Sequence, residues 1–275
     1  MTYSKGELDM PAIGLQLYTL MDVLADRPAA LARVAGLGVT TVEPFRLGRS
    51  DLDRAARLAE ARALKADIDA AGLTVSSTHA RLPDAEDPGW FFEELAELGA
   101  PVAIASTPDA LPGFTRDALV STDGVLRYAD RLNALAKAAA THGLLVGYHN
   151  HEWEWTRLDD GRYGYDALWD ALDPSVVAEV DLYWAQTAGQ VPAEVVARLG
   201  ERVRLVHVKD GPAVRGEPQV AAGQGTVALA DALDAGRDSI RAHIIEADGI
   251  AEGADIFDLV ADSVTWLKAR GAGPE

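Results

Sequence analysis

Short apolar runs alternate along the chain with longer stretches of helical periodicity. Eight of these runs are almost continuously apolar, which is typical of strands that are buried on both faces. We predict strands at residues 13–19, 40–45, 73–79, 101–106, 144–150, 177–183, 203–209 and 242–248. The stretches between them are rich in Ala, Leu, Glu and Arg, and several end at a glycine, the usual residue just past a helix end.

Strands that alternate with helices in this way indicate an α/β fold. Eight such units in 275 residues match a (β/α)8 TIM barrel. The rival fold, a doubly wound open sheet, usually has a glycine-rich phosphate turn after an early strand, and residues 13–22 contain none. Because no linker, repeat or low-complexity run divides the chain, we predict a single domain at residues 11–275. We expect residues 1–10 to form a flexible N-terminal segment.

Composition and charge narrow the class of function. The chain has 25 Lys and Arg against 43 Asp and Glu, a formal net charge of −18, and no Cys. The lack of Cys excludes a disulfide-stapled domain and a Cys-rich zinc module. The negative charge disfavours binding to nucleic acid, because phosphate backbones are repelled. We see no signal peptide and no apolar run long enough to span a membrane, so we expect a cytoplasmic protein without a membrane partner.

Histidines collect where the predicted strands end. Four of the six lie there: His79, His149, His151 and His207. The active site of a (β/α)8 barrel lies at the C-terminal ends of its strands, so these residues are candidates for chemistry. Alternate residues of a strand face the same side. This parity groups Glu179 with Asp181 and Tyr183, His207 with Lys209, Glu246 with Asp248, and His149 with His151.

Asp181, His207 and Glu246 lie at the ends of three consecutive predicted strands. Any one of them alone would more often be a hydrogen-bonded barrel residue. Together they form an oxygen and nitrogen ligand set, which suits Mn, Mg, Co or Zn better than Cu or an iron–sulfur cluster. Two buried carboxylates on neighbouring strands need a cation between them. For a fourth ligand, His149 has the right parity, and Glu154 lies just beyond the strand, where the chain could fold back.

The chain contains, in order, the segments IGLQLYTL, GVTTVEPF, GYHNHEWEW, EVDLYWA, VHVKDG, GQGTV and IIEADG. Together they resemble the sugar phosphate isomerase/epimerase family of xylose-isomerase-like TIM barrels. IGLQLYTL is similar to the family's first strand, GVTTVEPF to its second, and GYHNHEWEW to the HNH-containing version of its fifth. EVDLYWA, VHVKDG and IIEADG follow in order, and GQGTV resembles the family's Gly-x-Gly-Thr segment. The resemblance covers residues 11–270. It implies ligand roles for Asp181, His207 and Glu246. The family's fifth-strand ligand is usually a Glu, so we favour Glu154 over His149.

The resemblance also implies a reaction. Members of the family act on small carbohydrates, so we expect an isomerase or epimerase that abstracts a proton α to a carbonyl through an enediolate, with a divalent metal polarising the carbonyl. Glu154 and Glu246 would serve as ligand and base, and His149 and His151 are alternative proton carriers. Lys209 would steady the developing oxyanion. A dehydratase or lyase acting on a keto-inositol or a 3-keto-glycoside would use the same site.

Residues of the opposite rim are candidates for substrate binding. Tyr18 and Trp184 would form apolar walls, and Glu43 and His79 would bind hydroxyls, although structural roles are equally common for such residues. The loop at 211–224 contains Arg215 as its only cation, which favours a sugar without a phosphate. Two other classes are disfavoured: a DNA-repair barrel by the charge, and a non-catalytic sugar-binding barrel by the intact acidic and His positions. A homo-oligomer is compatible with the sequence.

Overall fold

A computed structural model describes residues 10–273 of the chain. Nine parallel strand segments form one sheet in the order β3-β2-β1-β9-β8-β7-β6-β5-β4. Their bounds are β1 (Ala12–Gln16), β2 (Thr41–Glu43), β3 (Thr74–Val75), β4 (Thr78–His79), β5 (Val102–Ala105), β6 (Leu145–His149), β7 (Val177–Asp181), β8 (Val203–Val208) and β9 (Ala242–Ile245).

The two ends of this sheet belong to a single strand of the barrel. β3 and β4 are separated only by Ser76 and Ser77, so the nine segments amount to eight barrel strands, and the sheet is nearly closed. Each predicted strand coincides with one of these eight. The prediction of a single-domain (β/α)8 barrel is therefore confirmed.

Helices connect the strands on the outside of the barrel. Their bounds are α1 (Arg27–Gly36), α2 (Arg54–Ala70), α3 (Gly89–Leu98), α4 (Thr122–Ala140), α5 (Gly164–Ala171), α6 (Leu182–Thr187), α7 (Pro192–Leu199), α8 (Leu229–Ala235) and α9 (Ile256–Lys268). Asp53 and Ser121 begin α2 and α4 by accepting a hydrogen bond from a backbone N–H in the first turn, as N-cap residues do. No helix within residues 10–273 is long and apolar enough to cross a membrane.

The prediction placed the end of the sixth barrel strand too late. β7 ends at Asp181, and α6 begins at the next residue. The cause is local, because Asp181 Oδ1 accepts a hydrogen bond of 2.8 Å from the Trp184 N–H and so caps the helix. Tyr183 consequently does not share the strand face of Glu179 and Asp181. Of the flexible segment expected at residues 1–10, residues 1–9 lie outside the described residues.

The barrel interior is apolar at one end and ionisable at the other. The apolar cluster consists of Val102, Ile104, Val177, Leu205, Ala242 and Ile244. It is packed closely around β6, since a Cβ added at Gly147 would lie 2.5 Å from Ile104 Cδ1 and 2.8 Å from the carbonyl oxygen of Val177. This apolar layer is the floor on which the ionisable residues of the C-terminal end are placed.

Candidate active site

Ionisable and polar side chains fill the C-terminal end of the barrel. The fully or largely buried members of this group are Gln16, Glu43, His149, Glu179, Asp181, His207, Lys209 and Glu246. His79 joins them with a side chain that is 13% exposed. Because every strand except β3 and β5 contributes at least one of these residues at or just beyond its end, the group depends on closure of the barrel.

Three of the predicted ligands are brought together at the centre of this group. Single ligand atoms of Asp181, His207 and Glu246 all lie within 4.8 Å of one another. Glu246 Oε2 lies 2.6 Å from His207 Nδ1. Lys209 Nζ lies 3.0 Å from Asp181 Oδ2, 2.7 Å from Glu246 Oε2 and 2.9 Å from Asp248 Oδ2. An ammonium group and an imidazole thus face three carboxylates.

The pKa values of these residues reflect the burial and the charges. Burial raises the pKa of Asp181 to about 6, against the opposing charge of Lys209. Burial also acts to raise the pKa of Glu246, but the charges of Lys209 and His207 outweigh it and hold that pKa well below its usual range. The pKa of Lys209 is well above its usual value, because the surrounding carboxylates overcome the effect of burial. Glu246 and Lys209 are therefore both charged at neutral pH.

The donor set fits a divalent cation. Asp181 Oδ2 is buried and accepts no hydrogen bond of good geometry, although Lys209 Nζ is close to it. A carboxylate oxygen of this kind is a common ligand for a cation, since an unsatisfied buried acceptor is costly. Two carboxylates and an imidazole without a thiolate are a suitable set for Mn, Mg, Co or Zn.

A second carboxylate, Glu179, lies behind the imidazoles. Its Oε2 is 2.6 Å from His79 Nε2, 3.1 Å from His149 Nδ1 and 3.3 Å from His207 Nε2. The charges of His207 and His79 overcome the effect of burial and hold the pKa of Glu179 well below its usual value. Ligand atoms of these four residues also lie within 4.8 Å of one another, so His207 is shared by the two groups.

Glu43 backs His207 from the other side. Its Oε2 lies 2.8 Å from His207 Nε2 and accepts a hydrogen bond of 2.7 Å from Gln16 Nε2. Its Oε1 accepts a hydrogen bond of 2.6 Å from Ser77 Oγ. Burial and the charge of Glu179 raise the pKa of Glu43. Glu43 was predicted to bind substrate hydroxyls, and the structure places it beneath the cavity in contact with protein groups.

His149 and His207 each have a carboxylate at one ring nitrogen and another acidic side chain near the other nitrogen. His149 points Nδ1 at Glu179, and its Nε2 lies 3.8 Å from Asp181 Oδ2. His207 points Nε2 at Glu43 and Nδ1 at Glu246. A carboxylate behind an imidazole whose other nitrogen faces acidic groups is typical of metal-ligating histidines. Burial lowers the pKa of His149 to about 3, so this imidazole is neutral and has a free lone pair.

Glu154 is not brought to this group. Its Oε1 accepts a hydrogen bond of 2.9 Å from Tyr148 Oη, and its Oε2 accepts one of 2.9 Å from the His151 N–H. Tyr148 neighbours the inward-facing His149 on β6 and therefore points away from the barrel interior. Of the two fifth-strand candidates, only His149 lies beside Asp181.

A cavity of about 370 Å³ opens above the ionisable group. Six of the predicted site residues contribute to its walls: Tyr18, His79, His149, His151, Lys209 and Glu246. Trp184 does not line it; its ring is buried and lies 5.5 Å from Lys209 Nζ. The cavity is large enough for a small carbohydrate, and the candidate metal centre borders it through His149 and Glu246.

His151 also lines this cavity. Its ring stacks on that of Trp153, with the centroids 4.1 Å apart, and its Nδ1 is buried without a hydrogen-bond partner. Burial holds the pKa of His151 well below its usual value. His151 is therefore a neutral imidazole on the wall of the cavity.

The site includes residues that we did not assign from the sequence. Parity indicates that Glu179 faces inward together with Asp181, but its imidazole partners lie 30 and 100 positions away in the chain. Gln16 likewise ends β1 and meets Glu43 across 27 positions. Parity was the available signal for both residues, and the register between strands decided their partners.

Fold and site together define a (β/α)8 barrel enzyme fold with an acidic, His-containing centre at the C-terminal ends of its strands. The family described as the xylose isomerase-like TIM barrel matches residues 31–268. The chain belongs to this family. Among curated proteins, none matches the sequence at a significant level.

Solved structures with similar folds carry related names. A sugar phosphate isomerase/epimerase from Parabacteroides distasonis is 25% identical, with a TM-score of 0.75 over 97% of this chain and 96% of that one. A second protein with the same name from that organism is 21% identical, with a TM-score of 0.72 over 94% of this chain and 98% of that one. An L-ribulose 3-epimerase is 15% identical, with a TM-score of 0.65 over 94% of each chain.

Proposed function

We propose that the protein is a divalent-metal-dependent isomerase or epimerase that acts on a small carbohydrate next to its carbonyl group. The observation that carries this proposal is the convergence of Asp181, His207 and Glu246, of which Glu246 lines the cavity. The names of similar structures, sugar phosphate isomerase/epimerase and L-ribulose 3-epimerase, are consistent with it.

His149, Asp181, His207 and Glu246 would hold the ion. We propose His149 as the fifth-strand ligand in place of Glu154, because Glu154 is bound to Tyr148 and His149 presents a neutral imidazole beside Asp181. This assignment departs from the sequence-based expectation, which favoured Glu154. Mn, Mg, Co and Zn all suit two imidazoles and two carboxylates.

A bound divalent ion would act as a Lewis acid toward a carbonyl oxygen. Four side chains of the protein supply the remaining chemistry. Glu246 is ionised at the floor of the cavity and can accept a proton from the carbon next to the carbonyl. His151, a neutral imidazole on another wall of the cavity, can take or return a proton there. Lys209 can stabilise negative charge that develops on a substrate oxygen. Tyr18, half-exposed at the rim, can contact the apolar face of a sugar.

Glu246→Gln tests the role of Glu246 as a ligand and base, and His149→Asn tests the role of His149 as a ligand. We expect Glu246→Gln to lower turnover by about a hundredfold or more, because it removes a base, and to weaken metal binding. His149→Asn should lower the bound metal. Metal content is measured by mass spectrometry of the purified proteins, and turnover on a panel of ketoses and keto-sugars by chromatography of the products.

Glu252→Gln is the matched control, because Glu252 is an exposed carboxylate just after β9. It should behave like the unmodified protein in both measurements. Full activity of Glu246→Gln would contradict the proposal. The mass of the product distinguishes isomerisation from the alternative reaction. An isomerase leaves the mass of its substrate unchanged. A dehydratase or lyase would remove water or an aglycone from a keto-inositol or a 3-keto-glycoside.

A further inference from the structure

Three arginines line the cavity away from the candidate metal centre. They are Arg46, Arg81 and Arg116, and each follows a different strand: β2, β4 and β5 respectively. All three are solvent-exposed, so their guanidinium groups are reachable from the cavity. They form what we call the arginine wall, opposite the loops that follow β8 and β9.

The backbone that carries the first two arginines is fixed. Leu47 and Ala80 form a parallel bridge, and the Arg81 N–H donates a hydrogen bond of 2.9 Å to the Leu47 carbonyl oxygen. Arg46 has a φ of +66°, a left-handed conformation that non-glycine residues seldom adopt. Such strain persists only where the surroundings hold it, and it is common at ligand sites. The two side chains thus start from adjoining, restrained segments.

The positive charge of this wall is largely uncompensated. Within residues 10–273, neither Arg46 nor Arg81 has a carboxylate within ion-pair distance, and the only one near Arg116 is that of Asp109, at 3.6 Å. In contrast, Lys209 in the same cavity faces three carboxylates. In a chain with a formal net charge of −18, a positive wall inside a cavity favours anionic ligands.

Building on the proposed function, we propose that the substrate carries a carboxylate or phosphate group remote from its reacting carbonyl, and that the arginine wall binds this group. Guanidinium groups suit both anions, since they can donate two parallel hydrogen bonds. The loop after β8 does not compete for this role. Its Arg215 is paired with Glu152 and lies 5.2 Å from the ring of Trp153. We expected a sugar without a phosphate because that loop contains a single cation, and this expectation did not take the three arginines into account.

Calorimetric titration in the presence of Mn²⁺ tests the proposal. The probes are D-fructose, D-fructose 6-phosphate and D-fructuronate, which share a ketose skeleton and differ in charge. We expect at least one charged probe to bind about tenfold more tightly than fructose, through charge-assisted hydrogen bonds. Preference for the phosphate or for the uronate identifies which anion is bound. In the double variant Arg46→Gln/Arg81→Gln this preference should be lost, with fructose affinity within about twofold of the original.

Arg127→Gln is the matched control, an exposed arginine of α4 that does not line the cavity. It should leave all three affinities unchanged. Equal affinities for neutral and charged probes would overturn the proposal. So would a preference that survives in the double variant, since the metal alone would then account for it. Because binding is measured without turnover, a protein that prefers charged probes but converts none would contradict the proposed function and leave this inference standing.

Discussion

Buried carboxylates in this protein differ in the charges that face them. Asp181 and Glu246 lie beside Lys209 and His207, and charge opposes the effect of burial on their pKa values. The carboxylate of Glu154 instead accepts hydrogen bonds from the neutral Tyr148 hydroxyl and the His151 N–H. Burial therefore raises the pKa of Glu154 from 4.5 to about 7, although these hydrogen bonds act to lower it. This residue should influence stability more than catalysis.

The stability of the protein should depend on pH through Glu154. An acid whose folded-state pKa is raised binds its proton more tightly when folded, so its contribution is most favourable below about pH 4.5 and is lost as the pH rises through about 7. We expect the free energy of unfolding of the unmodified protein, relative to Glu154→Gln, to fall by up to about 3 kcal/mol between about pH 5 and pH 8. Urea unfolding of both proteins across this pH range measures the difference in their free energies of unfolding.

Two controls accompany this measurement. Glu252→Gln changes an exposed carboxylate and should give a difference from the unmodified protein that does not vary with pH. The metal content of Glu154→Gln should equal that of the unmodified protein, because its carboxylate lies outside the ligand group. A pH-independent difference for Glu154→Gln, or loss of its metal, would show that the residue has another role.

At the scale of the element, the loop between β8 and α8 is organised by one carboxylate. Asp210 Oδ1 accepts hydrogen bonds of 2.8 Å from the Gly211 N–H and 3.1 Å from the Val227 N–H, and Oδ2 accepts one of 2.8 Å from the Gly223 N–H. A Cβ added at Gly225 would lie 2.2 Å from Asp210 Oδ1. The Gly-x-Gly-Thr segment is thus packed directly on Asp210, which explains Gly225. Gly223 has a φ of +82°, and a Cβ there would lie 2.0 Å from Trp266 Nε1.

Replacement of Asp210 should destabilise this loop. Asp210→Ala leaves three backbone N–H groups without their acceptor, and we expect a loss of about 3 kcal/mol in the free energy of unfolding. Asp210→Asn keeps one acceptor oxygen and should lose less. Urea unfolding measures both, with Asp238→Ala as the control at an exposed position. If Asp210→Ala unfolds like this control, the loop is held by other contacts.

At the scale of the molecule, the site joins strands that are distant in the chain. His149, Asp181, His207 and Glu246 come from β6, the end of β7, β8 and the residue after β9. An ion bound to all four would cross-link one side of the barrel and would bind the folded state only. Binding of this kind stabilises the folded protein by mass action.

Added metal should therefore raise the melting temperature. At an ion concentration of about 100 times Kd the stabilisation is about 2.7 kcal/mol, which corresponds to a rise of about 5 °C or more for a domain of this size. Differential scanning calorimetry with Mn²⁺ and then with a chelator measures the shift. In Asp181→Asn the shift should be much smaller. A shift of equal size in that variant would place the ion elsewhere.

The apolar pattern of the sequence was enough to predict the fold. Eight buried strands that alternate with helices can bury their apolar residues on both faces only when helices cover the sheet, and the barrel satisfies this. Strand parity was enough to predict that Asp181, His207 and Glu246 face inward, since alternation is a local property of the backbone. The position of the strand end at Asp181 depended on its capping of α6, a side-chain hydrogen bond that periodicity does not reveal.

Tertiary structure decided which inward residues meet and where the remaining ones point. His149 and Glu154 lie five positions apart, yet one faces Asp181 and the other turns back to Tyr148 on the outer face of β6. The partners of Glu179 and Glu43 come from other strands, so only the closed barrel brings them together. Sequence determines which face of a strand a residue occupies, whereas its neighbours depend on the register and closure of the sheet, which are set by contacts distant in the chain.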